Sequence, residues 1–185
     1  MKVFNYFSFN QQEFQQVHEM AMGSPLSAVM ASLFMETLEV GPIREIIGNH
    51  VTWLRYVDDT LVVLPRRANI QHILDGLNSI HPRIKFTMEE ESDGTIPFLD
   101  TLIHRKEEHA TFGVYRKPTN MDDFIHFLSG HDSRTKSGVV IGFYLRALRI
   151  CHTEFLDREL SHIKEAFRRL LYPAGFIEKC WVKPY

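Results

Sequence analysis

The segment Trp53–Val63, WLRYVDDTLVV, places two adjacent carboxylates inside a run that otherwise has the composition of a buried strand. Desolvating an unpaired carboxylate is costly, so a bare Asp pair does not persist there as plain core. It needs a turn, a cation, or both. The flanks, Leu54 to Val57 and Leu61 to Leu64, are aliphatic, β-branched or aromatic and have strand length on each side of a two-residue interruption. The pattern predicts a hairpin with Asp58-Asp59 at its tip. Two readings are open at this point. Asp is a good turn residue in its own right, although no glycine accompanies it. The alternative is that the pair holds a divalent metal ion.

A chain of 185 residues is long enough for a proper core, and 44% hydrophobic residues with 14 Phe argue for a folded rather than a disordered chain. No apolar run is expected to span a membrane, and MKVFNYFSFNQQEF lacks the continuous apolar region of a secretory signal. An intracellular protein is expected. The two cysteines, Cys151 and Cys180, lie far apart and fit a reducing compartment rather than a disulfide scaffold. Ten histidines invite a zinc site, chiefly His126, His131 and His152 with Cys151, yet their spacing matches none of the usual zinc patterns. Scattered surface or core histidines are the reading.

Charge is unevenly spread. Residues 1–110 hold 9 Lys and Arg against 15 Asp and Glu, whereas residues 111–185 hold 12 against 8. An acidic part that attracts cations beside a basic part that attracts polyanions makes nucleic acid a serious partner class. The structural alternative is a solvated basic helix face.

Residues 1–22 are rich in Phe and Gln with no clear period. Gly23-Ser24-Pro25 then opens a helix, with Ser24 as a good N-cap, Pro25 suited to the first helical position, and Leu26, Val29, Met30, Leu33, Phe34 and Leu38 on one face as far as Gly41-Pro42. A second amphipathic helix carries Ile70, Ile73, Leu74, Leu77 and Ile80. Ile84–Met88, Ile96–His104 and Thr111–Tyr115 read as strands, so residues 23–115 form an α+β layer of helices on an antiparallel sheet. After Arg116-Lys117-Pro118-Thr119 the chain reads as helical and basic, with helices over Ser137–Ile150 and Asp157–Leu171, the latter capped by Asp157.

Four blocks fall in one order: AMGSPLSAVMASLFMETLE, RYVDDTLVV, IKFTMEEESDGTIPFLDTLIHR and VYRKPTNMDDFIHFLSGHDSRTKSGVVIGFYLRALRI. Together they resemble the reverse transcriptases of Penelope-like retroelements over nearly the whole chain. The resemblance implies part of a right-hand polymerase, with an incomplete palm over residues 1–113 and an all-helical, basic thumb over 114–185. It implies an RNA-directed DNA polymerase of a retrotransposon, with an RNA template, a DNA primer and deoxynucleoside triphosphates as partners, and two magnesium ions, or manganese, as cofactor. For the full element it implies a place in the nucleus. Asp58 and Asp59 would be metal ligands, Asp58 the more direct. Gly23, Ser24 and Pro25 would line the nucleotide and template pocket, and Tyr56 would pack near the primer terminus. Lys85 matches a palm lysine proposed to protonate pyrophosphate, or is a solvated lysine on a half-exposed strand. Phe98, Leu99 and Asp100 would steady the primer, or are core followed by a strand-end carboxylate. Arg116, Lys117, Arg146, Arg149, Arg168 and Arg169 would contact the nucleic-acid backbone without regard to sequence.

Departures from the family pattern bear on activity. Ala28 stands where proline is usual after PLS, and Glu19 where glycine is usual before AMGSP. Nothing in residues 1–22 resembles the strand bearing the family's other metal-binding Asp, and no GIY-YIG-type endonuclease follows Tyr185. The expectation is a reverse-transcriptase fragment inactive as it stands. The alternative is a nucleic-acid-binding remnant without catalysis.

Overall fold

The computed structural model describes residues 5–16, 23, 25–107 and 109–181. The chain divides into two compact units, residues 1–88 and 89–185. The expected division at 113/114 differs from this, because the last sheet belongs with the helices that follow it.

In the first unit, β1 (Asn5–Phe9) and β2 (Gln12–Gln16) form an antiparallel hairpin. Its two-residue turn, Asn10-Gln11, has positive φ at both positions, the geometry that matches strand twist. Sequence periodicity missed this hairpin because Phe7, Phe9 and Phe14 share their face with Gln12 and Gln16, which blurs the alternation. Phe7 and Phe14 stack across it with ring centroids 5.4 Å apart. Helix α1 (Pro25–Leu38) runs into a widened turn at Glu39–Ile43 where Pro42 and Gly41 interrupt the regular ladder, and a short α2 (Arg44–Ile47) follows. Gly48, at φ +84°, closes α2 in a conformation that favours glycine. Strands β3 (Thr52–Tyr56) and β4 (Asp59–Val63) pair antiparallel, with Trp53 opposite Val62. Helix α3 (Ile70–Ser79) is capped by the Asn69 side chain, which accepts the His72 N–H at 3.0 Å.

Ile43, Ile47, Val51 and Leu77 form the core of this unit, with Trp53, Val62, Ile73 and Phe86 packed against them. Helices α2 and α3 approach closely at Gly76, where a Cβ would lie 3.1 Å from an Ile46 methyl. Among the described residues the expected strand Ile84–Met88 pairs with no other strand. Instead the Asn78 amide accepts the Phe86 N–H at 2.7 Å and donates to its carbonyl at 3.0 Å, doing for one residue what a neighbouring strand does for several.

The expectation that no apolar run reaches membrane-spanning length needs correction. The helical stretch Leu26–Ile47 is long and apolar enough to cross a membrane by length and composition, and only 6% of its window is buried. It also carries Glu36, Glu39, Arg44 and Glu45, costly groups for a hydrocarbon environment, and its end supplies Ile43 and Ile47 to the core.

In the second unit, β5 (Thr95–Phe98), β6 (Thr101–Arg105) and β7 (Ala110–Val114) form a three-stranded antiparallel meander. The single strand expected over Ile96–His104 is a hairpin, turning at Leu99-Asp100 with Leu99 at φ +54°. Helices α4 (Ser133–Ile150), α5 (Thr153–Arg169) and α6 (Ala174–Trp181) follow. The start of α4 lies four residues before the expected one, with Asp132 accepting the Thr135 N–H at 2.7 Å. The start of α5 is likewise earlier. His152 caps it and Asp157 is an exposed helical residue, because Cys151-His152 suffices to reverse the chain after α4.

The helices are not a free-standing lobe. His152 donates its backbone N–H to Phe112 at 2.8 Å, and the Phe155 ring stacks on His104 at 4.3 Å, so β6 and β7 lie against the start of α5. Val140, Ala147, Ile163, Phe167, Tyr172 and Ile177 form the core, with Phe124, Phe127, Phe143 and Phe176 packed against it. Phe167 is fully buried and meets Phe124, Phe143 and Tyr172 ring to ring. Truncating a buried Phe forfeits both transfer energy and packing. Phe167→Ala is expected to destabilise the second unit by about 3–5 kcal/mol, read as a lower urea midpoint at unchanged slope.

Candidate functional site

The acid pair sits one residue off the expected register. Tyr56 pairs with Asp59, so the turn is Val57-Asp58 and Asp59 opens β4. Val57 adopts φ +56°, a conformation unfavourable for a β-branched residue. Both carboxylates are exposed, and Tyr56, opposite Asp59 on the outward side, is 62% exposed.

What holds this hairpin is a carboxylate that sequence reading passed over. Glu39, just after α1, accepts Arg55 Nε at 2.5 Å and Trp53 Nε1 at 3.0 Å on one oxygen, and Arg55 Nη2 at 3.3 Å on the other. Arg55 also donates to the Val57 carbonyl at 3.2 Å, tying the turn to the same guanidinium. Burial by itself raises the Glu39 pKa. The hydrogen bonds from Arg55 and Trp53 and the Arg55 charge outweigh it and hold the carboxyl below its ordinary value. The Asp pair is thus presented to solvent on a hairpin braced from beneath.

The other residues assigned by resemblance to the nucleotide site are less concentrated. Gly23 has φ +89°, a backbone state open to glycine, Pro25 is the first residue of α1, and Ser24 lies outside the described residues. Lys85 is exposed on an unpaired extended segment and donates to the Asn78 carbonyl at 3.0 Å. Phe98, Leu99 and Asp100 end β5 and make its turn, and the Asp100 carboxylate lies 3.3 Å from Arg146. Among the described residues no group of three or more His, Cys, Asp or Glu is placed to hold a metal ion. Two exposed carboxylates are fewer ligands than a pair of magnesium ions requires, so the residues present do not make a complete two-metal site.

The basic residues divide sharply by environment. Arg116 is committed internally. Its two terminal nitrogens donate to the two Glu159 oxygens at 2.7 and 2.5 Å, and its Nε lies 3.4 Å from Asp122. Asp122 and Glu159 are 7% and 8% exposed. Burial lowers the Arg116 pKa, and the bonds to Glu159 with the charges of Glu159 and Asp122 reverse this and leave it raised. A backbone-binding role for Arg116 is therefore corrected, because its fork is already filled. Arg146 is half-buried and pairs with Asp100. Lys117, Arg149 and Arg168 are exposed, and Arg169 is 57% exposed while reaching Asp122 at 3.3 Å.

Asp122 also receives His162 Nε2 at 2.7 Å. No periodicity marks Asp122, Glu159 or His162 as partners, since Asp122 lies in an irregular segment forty residues from His162. Its φ of +51° and the Asn120 side chain bonded to its N–H aim it at α5.

A family model described as an animal helix-turn-helix domain matches residues 123–182, about a third of the chain, spanning α4, α5 and α6. No curated protein and no solved structure matches the chain. The segment is similar to that domain in having α5 and α6 joined by the four residues Leu170–Pro173.

Two stability measurements follow. Glu39 has a depressed folded pKa, so its contribution is present above the ordinary glutamate value of about 4.3 and is lost as pH falls through the lower folded value. Thermal melts from pH 7 to pH 3 are expected to show Glu39→Gln less stable at pH 7 and less acid-sensitive than the parent; equal acid sensitivity contradicts the bracing role. Arg116→Ala is expected to cost about 3 kcal/mol, the low end for breaking a buried pair, whereas Arg149→Gln and Arg168→Gln stay within about 0.5 kcal/mol.

Proposed function

We propose that this chain acts on nucleic acid as part of an RNA-directed DNA polymerase of retroelement type, its helical unit gripping the template–primer duplex. The carrying observation is that a three-helix array similar to a helix-turn-helix domain leaves Arg149, Arg168 and Arg169 open to solvent. A polyanion is the partner such a surface suits, and guanidinium groups contact phosphates irrespective of sequence. Arg168 and Arg169 also stand in the last turn of α5, where positive charge favours the helix by itself, so their positions alone do not demand a ligand.

The polymerase half of the reading is supported by the acid pair. Asp58 and Asp59 project into solvent from a turn strained at Val57 and clamped through Arg55 to Glu39. A turn built only to reverse the chain has no need of such a brace or of two adjacent exposed carboxylates. Magnesium bound there would supply a Lewis acid for phosphoryl transfer, and the reading requires a further carboxylate beyond the pair. A second reading, a nucleic-acid-binding remnant without catalysis, is favoured by the absence of a third ligand among the described residues.

The test is a primer-extension assay on a primed RNA template with deoxynucleoside triphosphates and magnesium or manganese, beside a mobility shift on the same template. The 185-residue chain is expected to shift the template without extending the primer. Robust extension abolished by Asp58→Ala would show that another acid completes the site. Failure to shift the template at low salt would count against both readings.

A further inference from the structure

Asp122 is a nearly buried carboxylate with two guanidinium groups, Arg116 and Arg169, and the His162 imidazole around it. Arg116 faces inward toward Glu159. His162 and Arg169 belong to the exposed arc of α5, His162 with 39% of its side chain exposed. At 3.6 residues per turn, Arg158, His162 and Arg169 fall within about 40° of one another around α5, over about 16 Å of its length. They form a strip facing away from the core residues Ile163 and Phe167.

The hydrogen bond to Asp122 decides the tautomer of a neutral His162 ring. An ionised carboxylate only accepts, so Nε2 is the nitrogen that donates to it. In the neutral ring the other nitrogen, Nδ1, is then an acceptor, which repels a phosphate oxygen. Protonation turns Nδ1 into a donor and adds a charge. The charges around the ring make that change count. Asp122 and Glu159 balance Arg116 and Arg169, while Glu165 on the same arc balances Arg158. Among the described residues no hydrogen bond or ion pair reaches the His162 ring from α4, α6 or β7. Protonating the imidazole adds one positive charge to the strip.

We propose that His162, oriented by Asp122, is a proton-dependent phosphate contact that forms with Arg158 and Arg169 a backbone-binding strip along α5. The inference rests on the nucleic-acid reading above. Protonation of the ring tightens the strip on a polyanion. A phosphate contact adds about 0.9 to the slope of log affinity against log salt.

The experiment is fluorescence anisotropy of a labelled RNA–DNA hybrid oligonucleotide with the full chain at pH 5.5 and 8.0, at fixed ionic strength. The parent is expected to bind more tightly at pH 5.5, and His162→Gln to lose about three- to tenfold of that gain. His162→Lys, charged at both values, is expected to bind at pH 8.0 nearly as the parent does at pH 5.5. It carries the test if circular dichroism shows His162→Gln unfolded. A pH gain in His162→Gln equal to the parent's, or no tightening by His162→Lys at pH 8.0, overturns the strip while leaving nucleic-acid binding intact. Absence of binding at both pH values overturns the nucleic-acid reading and the strip with it.

Discussion

Glu39 gives up most of its water on folding, and a carboxylate in that position must be answered by a cation and by hydrogen-bond donors. Arg55 and Trp53 are those donors, both from β3, and this fixes where the hairpin lies on the unit formed by α1, α2 and α3. The same constraint acts in the second unit, where Asp122 and Glu159 draw the irregular segment after β7 onto α5 through Arg116. In each case a buried or half-buried acid selects one arrangement of an element that apolar packing alone would leave free to slide. Each also decides which arginines remain for another partner. Arg55 and Arg116 are spent inside, whereas Lys117, Arg149, Arg168 and Arg169 remain open to solvent.

The apolar periodicity of α3, α4 and α5 was readable because each buries one stripe against a core, and Leu77, Val140, Ala147, Ile163 and Phe167 are all buried as their spacing requires. The hairpin around the Asp pair was readable from the two apolar flanks, but not its register. Placing the turn at Val57-Asp58 asks a β-branched residue to take positive φ, which local preference argues against and the Arg55 bond to the Val57 carbonyl favours. Ile84–Met88 has strand alternation yet no strand beside it, because Asn78 satisfies it with one side chain. The hairpin Asn5–Gln16 was hidden because Gln12 and Gln16 share the face of Phe7, Phe9 and Phe14. Helix α6 was missed for its brevity.

The candidate site was legible in part. The acid pair announces itself because two charges interrupt a strand run, whereas Glu39 lies fourteen and sixteen residues from its partners and looks like any helix-end acid. Arg116 looked like a surface cation beside Lys117, and only the fold reveals that one is filled by Glu159 while its neighbour is exposed. Long-range ion pairs leave no period in a sequence, so a basic stretch read without the fold overstates the charge available to a ligand.

A binding surface made of exposed guanidinium groups has a signature that a merely solvated surface lacks: binding releases counterions from the nucleic acid. The most direct measurement is the salt dependence of affinity for an RNA–DNA hybrid, comparing the parent with a variant carrying Arg149→Gln, Arg168→Gln and Arg169→Gln. The account predicts a log–log slope that is steeply negative for the parent and shallower by about 0.9 for each lost contact in the variant. A parent slope near zero, or equal slopes for the two proteins, would contradict it.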